Sequence, residues 1–307
     1  MGFVDPRTDF GFKRIFASTR SKPILRNFLN AIVYNNKPRI TDLEILDPYQ
    51  NPDLYSLKQS ILDIKVILDN GTIVLIEMQV LPVKSFTERI IYNTAKSYTN
   101  QLKRGQAYRD LKPVISLAIV DFLLFPKGED DNPNPISRYQ FINPDTGKCC
   151  SNHIELIFAE LPKLAKLPDE LRQRSDQWLY FIQRAGQWET VPDILDDADF
   201  VPAFEIANES QLSEEEYELA QKQQMKIWDD LGRREYAREQ GLEEGREQGR
   251  EEGREEGREE GREEGREEGR EEGLIQAARG MLSAGLEVQK VCEITGLSEA
   301  IVQDLVG

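Results

Sequence analysis

Two apolar runs separated by a polar turn are the clearest pattern in the centre of the chain. Residues 61–80 read ILDIKVILDNGTIVLIEMQV, and the interruption is the Asp-Asn-Gly triplet at 69–71. A three-residue loop with glycine in the left-handed position is typical of a β-hairpin. We therefore expect a hairpin in which Leu68 pairs with Thr72.

This register places two carboxylates opposite each other. Asp63 then faces Glu77, and Gln79 lies on the same face two residues further along. Most other positions on both faces are apolar, so the two acids lose hydration and repel each other unless a positive charge lies between them. A divalent cation such as Mg²⁺, completed by water and phosphate, satisfies this pattern. The alternatives are that Lys65 neutralises Asp63, or that Glu77 pairs with an arginine of the following helix.

Strands and helices alternate around the hairpin. Residues 113–120 form a continuous apolar run, which predicts a central strand covered on both faces. Residues 40–46 and 152–159 also have strand character, while apolar side chains recur at helical spacing in 87–108 and 169–184. Mixed strands and helices predict an α/β or α+β core.

Composition divides the chain into three parts. Residues 1–205 are mixed in composition and predict a globular domain, and residues 206–273 are charged, with few apolar anchors. Residues 274–307 become apolar and periodic again, which predicts a small helical tail module with helices near 274–284, 287–294 and 298–305. Because so short a segment has little core of its own, we expect it to support a homo-oligomer.

The charged part contains a tandem repeat. Glycine recurs every four residues from Gly241 to Gly273, mostly as Gly-Arg-Glu-Glu. Each unit gains a few tenths of a kcal/mol from a Glu–Arg pair and loses about 1 kcal/mol through its glycine in a helix. The balance predicts a marginal helix or an extended polyampholyte that acts as a spacer. A period of four drifts by about 40° per unit around the helix, so no coiled-coil seam is expected.

Composition excludes several classes of active site. The chain of 307 residues has one histidine, His153, so sites that need two histidines are ruled out. The three cysteines contain no Cys-x-x-Cys pair, which argues against a zinc site and a disulfide framework and favours a reducing compartment. No apolar run is long enough for a membrane helix, and we expect a cytoplasmic protein without a membrane partner.

The charge distribution is uneven. The formal net charge is −16, which argues against a protein that coats DNA over its whole surface. Residues 233–273 hold 10 Arg and 17 Glu, whereas 84–113 hold seven basic and only two acidic side chains. The second stretch therefore predicts a local basic face that can bind phosphates.

The hairpin and its surroundings resemble a known family. Asp63, the hairpin, and Glu77-x-Gln79 resemble the Asp…Glu-x-Lys core of the PD-(D/E)XK nucleases, with glutamine in the last position. Together with the other motifs they resemble the Rpn family of recombination-promoting nucleases, also labelled transposases, in which a Glu-Gly-Arg repeat is typical of the tail. The further stretches that carry this resemblance are TDFGFKRIF at 8–16, the segment 89–108, and the segment 153–163.

The resemblance implies a fold and a chemistry. The fold is an α/β, restriction-endonuclease-like core with a mixed central sheet flanked by helices, followed by the charged spacer and the helical tail. The chemistry is metal-dependent DNA cleavage, in which Asp63 and Glu77 hold Mg²⁺ or another divalent cation and Gln79 orients the water or the phosphate. Asp9 is either a further ligand or the N-cap of the first helix. Lys65 is a candidate for the charge that Gln79 lacks.

DNA is the implied partner, in recombination, mobile-element biology or defence. A protein that keeps the nuclease fold but only binds DNA or another protein is the alternative, because glutamine cannot supply the charge of a lysine. Lys13 is open between a phosphate contact and a surface charge. The basic side chains expected to follow the DNA backbone are Lys13, Arg89, Lys96, Lys103 and Arg104.

Overall fold

A computed structural model describes residues 2–46, 49–50, 60–61, 63–125 and 132–305. The chain separates into two compact units, Met1–Leu231 and Gly232–Gly307. The predicted division at 205 and 273 stays a prediction, and each unit is described by itself below.

The first unit is built around a mixed sheet of six strands in the order β1-β4-β5-β6-β8-β7. Strands β5, β6 and β8 run parallel to one another, and the outer neighbours pair antiparallel. A separate two-stranded sheet pairs β2 with β3. The strands are β1 Leu43–Leu46, β2 Tyr49–Gln50, β3 Ser60–Ile61, β4 Ile64–Leu68, β5 Ile73–Gln79, β6 Val114–Val120, β7 Ile136–Ile142 and β8 Cys149–Glu160.

Helices cover both faces of this sheet. The large core lies on the face that packs against α1, α2, α4 and α5, and smaller apolar clusters lie under α3. Trp178 is fully buried in the large core, where its ring contacts those of Phe16, Phe28, Phe181 and Phe200. The helices are α1 Asp9–Phe16, α2 Lys22–Ile32, α3 Phe86–Thr99, α4 Arg174–Arg184, α5 Val201–Ala207, α6 Glu214–Ser283, α7 Val288–Thr295 and α8 Glu299–Asp304.

The predicted hairpin is present with the predicted register. Ile64 pairs with Ile76, the Leu68 amide donates to the Thr72 carbonyl, and Gly71 has a φ of +85° in the turn. Alternation along the strands assigns even-numbered side chains, such as Ile76, to the large core. Odd-numbered side chains such as Leu75 therefore face α3.

The structure corrects two helix boundaries. The helix predicted over 169–184 begins at Arg174, because Pro168–Glu170 form a separate short 3-10 turn. The helix predicted over 87–108 ends at Thr99, and residues 100–107 form a loop in which Gly105 has a φ of +92°. The prediction of helix beyond 99 is wrong because the chain turns there: the Gln101 side chain closes the loop by hydrogen bonds to both backbone groups of Lys112.

The N-terminal segment is anchored far along the chain. Phe3 forms an antiparallel bridge with Asn208, and the Val4 amide donates to the Ala207 carbonyl at 2.8 Å. The segment that precedes α1 is thus held by the end of α5.

The second unit contains two of the three predicted tail helices as separate elements, α7 and α8, whereas the first, predicted at 274–284, is the end of the longer helix α6. The repeat is helical as part of α6, and α7 and α8 pack with its end around Ala278, Val291 and Val302. Within the part of the chain that the structure describes, no helix is long and apolar enough to cross a membrane.

Candidate active site

The open end of the hairpin carries the candidate acids. Asp63 immediately precedes β4, and its Oδ2 accepts a hydrogen bond from the Met78 amide at 2.7 Å. Glu77 lies on β5 on the face toward α3 and is 8% exposed. The hairpin register thus brings Asp63 to the strand segment that carries Glu77, as the sequence predicts.

Burial controls the ionisation of both acids. Loss of hydration raises the pKa of Glu77 to about 7, opposed by the positive charge of Arg89 and reinforced by the nearby Asp63. Burial also raises the pKa of Asp63, while the hydrogen bond from Met78 lowers it. A pair of acids with raised pKa values is a high-energy arrangement in its ionised form, and it is the kind of cluster found at functional sites.

An arginine from the first turn of α3 lies against these groups. Arg89 Nη2 donates to Glu77 Oε1 at 2.5 Å and to Gln79 Oε1 at 2.8 Å. Its guanidinium also lies over the Phe86 ring, with 5.1 Å to the ring centroid. The pairing of Glu77 with an arginine of the following helix, one of the two alternatives to a metal, is therefore present in the structure.

Helix α1 brings a second pair of charges toward Asp63. Lys13 Nζ lies 2.6 Å from Asp9 Oδ1, and both side chains are partly exposed. The two charges act on Asp63 with opposite effects, since Asp9 raises its pKa and Lys13 lowers it. The N-cap of α1 is Thr8, whose side chain accepts from the Gly11 amide, so the N-cap role considered for Asp9 is wrong.

A half-buried ion pair that sequence reasoning missed lies beside Gln79. Asp121 directly follows β6, and its amide donates to the Gln79 carbonyl at 3.0 Å. Arg7 Nη1 contacts Asp121 Oδ2 at 2.9 Å and also holds Asp5, so it ties the start of α1 to the end of the sheet. The only sequence signal was an acid directly after a buried strand, which is too common to select it.

The other predicted basic residues occupy different environments. Lys65 is half-buried on β4, burial lowers its pKa, and among the described residues no hydrogen bond or ion pair holds its ammonium group. Lys96 is buried on α3, so contact with DNA would require its ammonium group to leave that environment. Lys103 and Arg104 are exposed in the loop that follows α3.

The donor set fits a hard cation of the Mg²⁺ class. Glu77 Oε2 is buried, and no hydrogen-bond partner for it exists among the described residues. An oxygen of this kind, next to a second carboxylate, matches the one or two protein ligands that Mg²⁺ commonly takes. No group of three or more His, Cys, Asp or Glu side chains suited to a metal occurs in the described ranges, so water or substrate would complete the shell.

Comparison with known families agrees with the fold. The family model described as PD-(D/E)XK nuclease family transposase matches residues 6–237, which is more than half of the chain. The chain therefore belongs to the PD-(D/E)XK nuclease family transposases. Among curated proteins and among solved structures, no match to the chain was found.

Proposed function

We propose that the protein is a DNA endonuclease that hydrolyses phosphodiester bonds with a divalent cation, in the first place Mg²⁺. The observation that carries this proposal is the pair of acids at the open end of the hairpin, the half-buried Asp63 and the buried Glu77. The unpartnered Oε2 of Glu77 supports it, because a buried carboxylate oxygen without a donor is costly unless a ligand satisfies it. Family membership supports the nuclease class.

Asp63 and Glu77 would hold the cation, which would polarise the scissile phosphate and activate a bound water. Gln79 is a positioning residue in this proposal. Its Nε2 donates to the Leu81 carbonyl at 3.0 Å while its Oε1 accepts from Arg89, so both ends of the amide are engaged. Asp9 would act through the charge it places near Asp63.

DNA would approach along exposed basic side chains at the two ends of the hairpin: Lys13 acts on Asp63 at the open end, and the loop after α3 lies beside the turn. Lys13 on α1 is partly exposed, and Lys103 and Arg104 are exposed beyond the end of α3. Contacts from such cations to phosphates fix the position of DNA without reading its sequence. Three members of the predicted set are engaged or buried in the structure: Lys13 pairs with Asp9, Arg89 pairs with Glu77, and Lys96 is buried.

Nicking of supercoiled plasmid tests the proposal. We expect nicking with Mg²⁺ that disappears with EDTA and in the Asp63→Asn and Glu77→Gln variants, because both remove a charged ligand and keep the side-chain volume. Glu44→Gln is the matched control, since Glu44 is an exposed acid on β1 of the same sheet. Nicking that survives Glu77→Gln at the wild-type rate would place the active site elsewhere.

A binding module without useful turnover is the second candidate. The ion pair between Arg89 and Glu77 favours it, because that contact neutralises the site without a metal. This alternative predicts salt-sensitive retardation of the plasmid with no nicking in Mg²⁺. We further propose that the protein acts in recombination, mobile-element biology or defence and that it is cytoplasmic. Residues 274–307 would form the contacts of a homo-oligomer.

A further inference from the structure

Arg89 contacts the candidate site through a single nitrogen atom. One nitrogen, Nη2, makes both contacts, to Glu77 Oε1 and to Gln79 Oε1. A guanidinium that binds a carboxylate through two nitrogens at once forms a strong, directional pair, and Arg89 does not use that geometry. Its Nε is buried, and no hydrogen-bond partner for it is present in the described residues.

The same side chain has a route to solvent. The Arg89 side chain is 40% exposed, whereas that of Glu77 is 10% exposed. Because the Arg89 side chain already reaches solvent, breaking the pair returns its charge to water, whereas Glu77 would stay buried without a counter-charge. The pair is therefore stabilised mainly because the positive charge of Arg89 offsets the buried negative charge of Glu77.

We propose that Arg89 is an exchangeable counter-ion of the candidate metal site. It neutralises Glu77 in the free protein, and a divalent cation that binds Glu77 displaces it. Two positive groups on one carboxylate repel each other at contact distance, so cation binding and the Arg89–Glu77 pair oppose each other. This inference rests on the proposed function, and it adds that the affinity of the site for its cation is set by Arg89.

Calorimetric titration with Mn²⁺ tests the exchange without reference to cleavage. The Arg89→Gln variant removes the charge and keeps a donor for Gln79, and we expect it to bind Mn²⁺ about threefold more tightly than the wild type or better. Arg89→Lys keeps the charge and should bind like the wild type. Arg109→Gln is the control, because the Arg109 side chain is 89% exposed and its one ion pair among the described residues is with its neighbour Asp110.

Protons compete with Mn²⁺ for Glu77, and loss of the Arg89 charge makes Glu77 bind its proton more tightly. The titrations are therefore run at about pH 8.5 and above, until the affinity no longer changes with pH. Circular dichroism without metal checks that each variant is folded. In every protein that binds Mn²⁺, the added Glu77→Gln change should abolish the binding.

The outcomes separate the two proposals. Tighter binding in Arg89→Gln, with wild-type affinity in Arg89→Lys, supports the exchange. Equal or weaker binding in Arg89→Gln overturns the exchange and leaves the metal-dependent nuclease standing. If neither the wild type nor Arg89→Gln binds Mn²⁺, the exchange and the metal-dependent function both fail.

Discussion

Replacement of Glu77 by glutamine should make the stability of the first unit less sensitive to pH. Burial raises the pKa of Glu77 from an ordinary value of 4.5 to about 7. Below the lower value, Glu77 is protonated in the folded and the unfolded chain alike. As pH rises toward the higher value, the unfolded chain loses this proton while the folded chain retains it, so the wild type loses stability. The glutamine of the variant cannot ionise, so the variant escapes this loss.

The size of the effect follows from the gap between the two pKa values. One unit corresponds to about 1.4 kcal/mol, so the gap represents roughly 3 kcal/mol when both states are ionised above pH 7. Asp63 acts in the same direction, because burial raises its pKa and a neutral side chain in place of Glu77 no longer opposes its ionisation. The advantage of Glu77→Gln over the wild type should therefore grow by about 2.5 kcal/mol between pH 5 and pH 8 through Glu77 alone.

Urea unfolding followed by tryptophan fluorescence at a series of pH values measures this difference, since Trp178 is buried in the core of the first unit. Glu44→Gln, which removes an exposed acid from the same sheet, controls for the substitution itself. The reasoning is refuted if the difference between Glu77→Gln and the wild type is the same at pH 5 and pH 8, or if it declines as pH rises.

Three further changes test the fold. Trp178→Ala should lower the free energy of unfolding by about 3–5 kcal/mol, because a fully buried ring and its hydrogen bond to Asn27 are lost; unchanged urea unfolding would contradict this. Gly71→Ala should cost about 1–2 kcal/mol through its φ of +85°, seen as a lower melting temperature. Gly257→Ala, where the added carbon meets no described atom beyond the adjacent backbone of its own helix, should stabilise α6 by up to about 1 kcal/mol and so slow amide exchange near residue 257; faster exchange would speak against a helical repeat.

The part of the site that sequence could predict is local. The register of the hairpin depends on a three-residue turn and on strict alternation, so the juxtaposition of Asp63 and Glu77 follows from a short segment. The continuous apolar run likewise predicted the central strand β6, which is buried at every position. The resemblance supplied the fold class, and the observed mixed sheet flanked by helices confirms it.

The part that sequence could not predict depends on distant packing. The sequence pattern predicted Lys96 to be an exposed charge on a basic helix. In the structure α3 lies against the sheet, and Lys96 is buried. Arg89 was equally compatible with a DNA contact and with a pair to Glu77, and only the position of α3 over the odd-numbered face separates these cases. Strand β7, whose side chains are mostly exposed or half-buried, has no clear alternation and was not predicted.

The anchoring of the N-terminus has a consequence for synthesis of the protein. Two contacts join residues about two hundred positions apart in the sequence. They are the bridge between Phe3 and Asn208 and the hydrogen bond from the Val4 amide to the Ala207 carbonyl. Contacts so distant in sequence form late, because a long loop must close first. Helix α1, with Asp9 and Lys13, therefore lacks its anchor in any shorter nascent chain. During synthesis, the candidate site would therefore be complete only after nearly the whole first unit had left the ribosome.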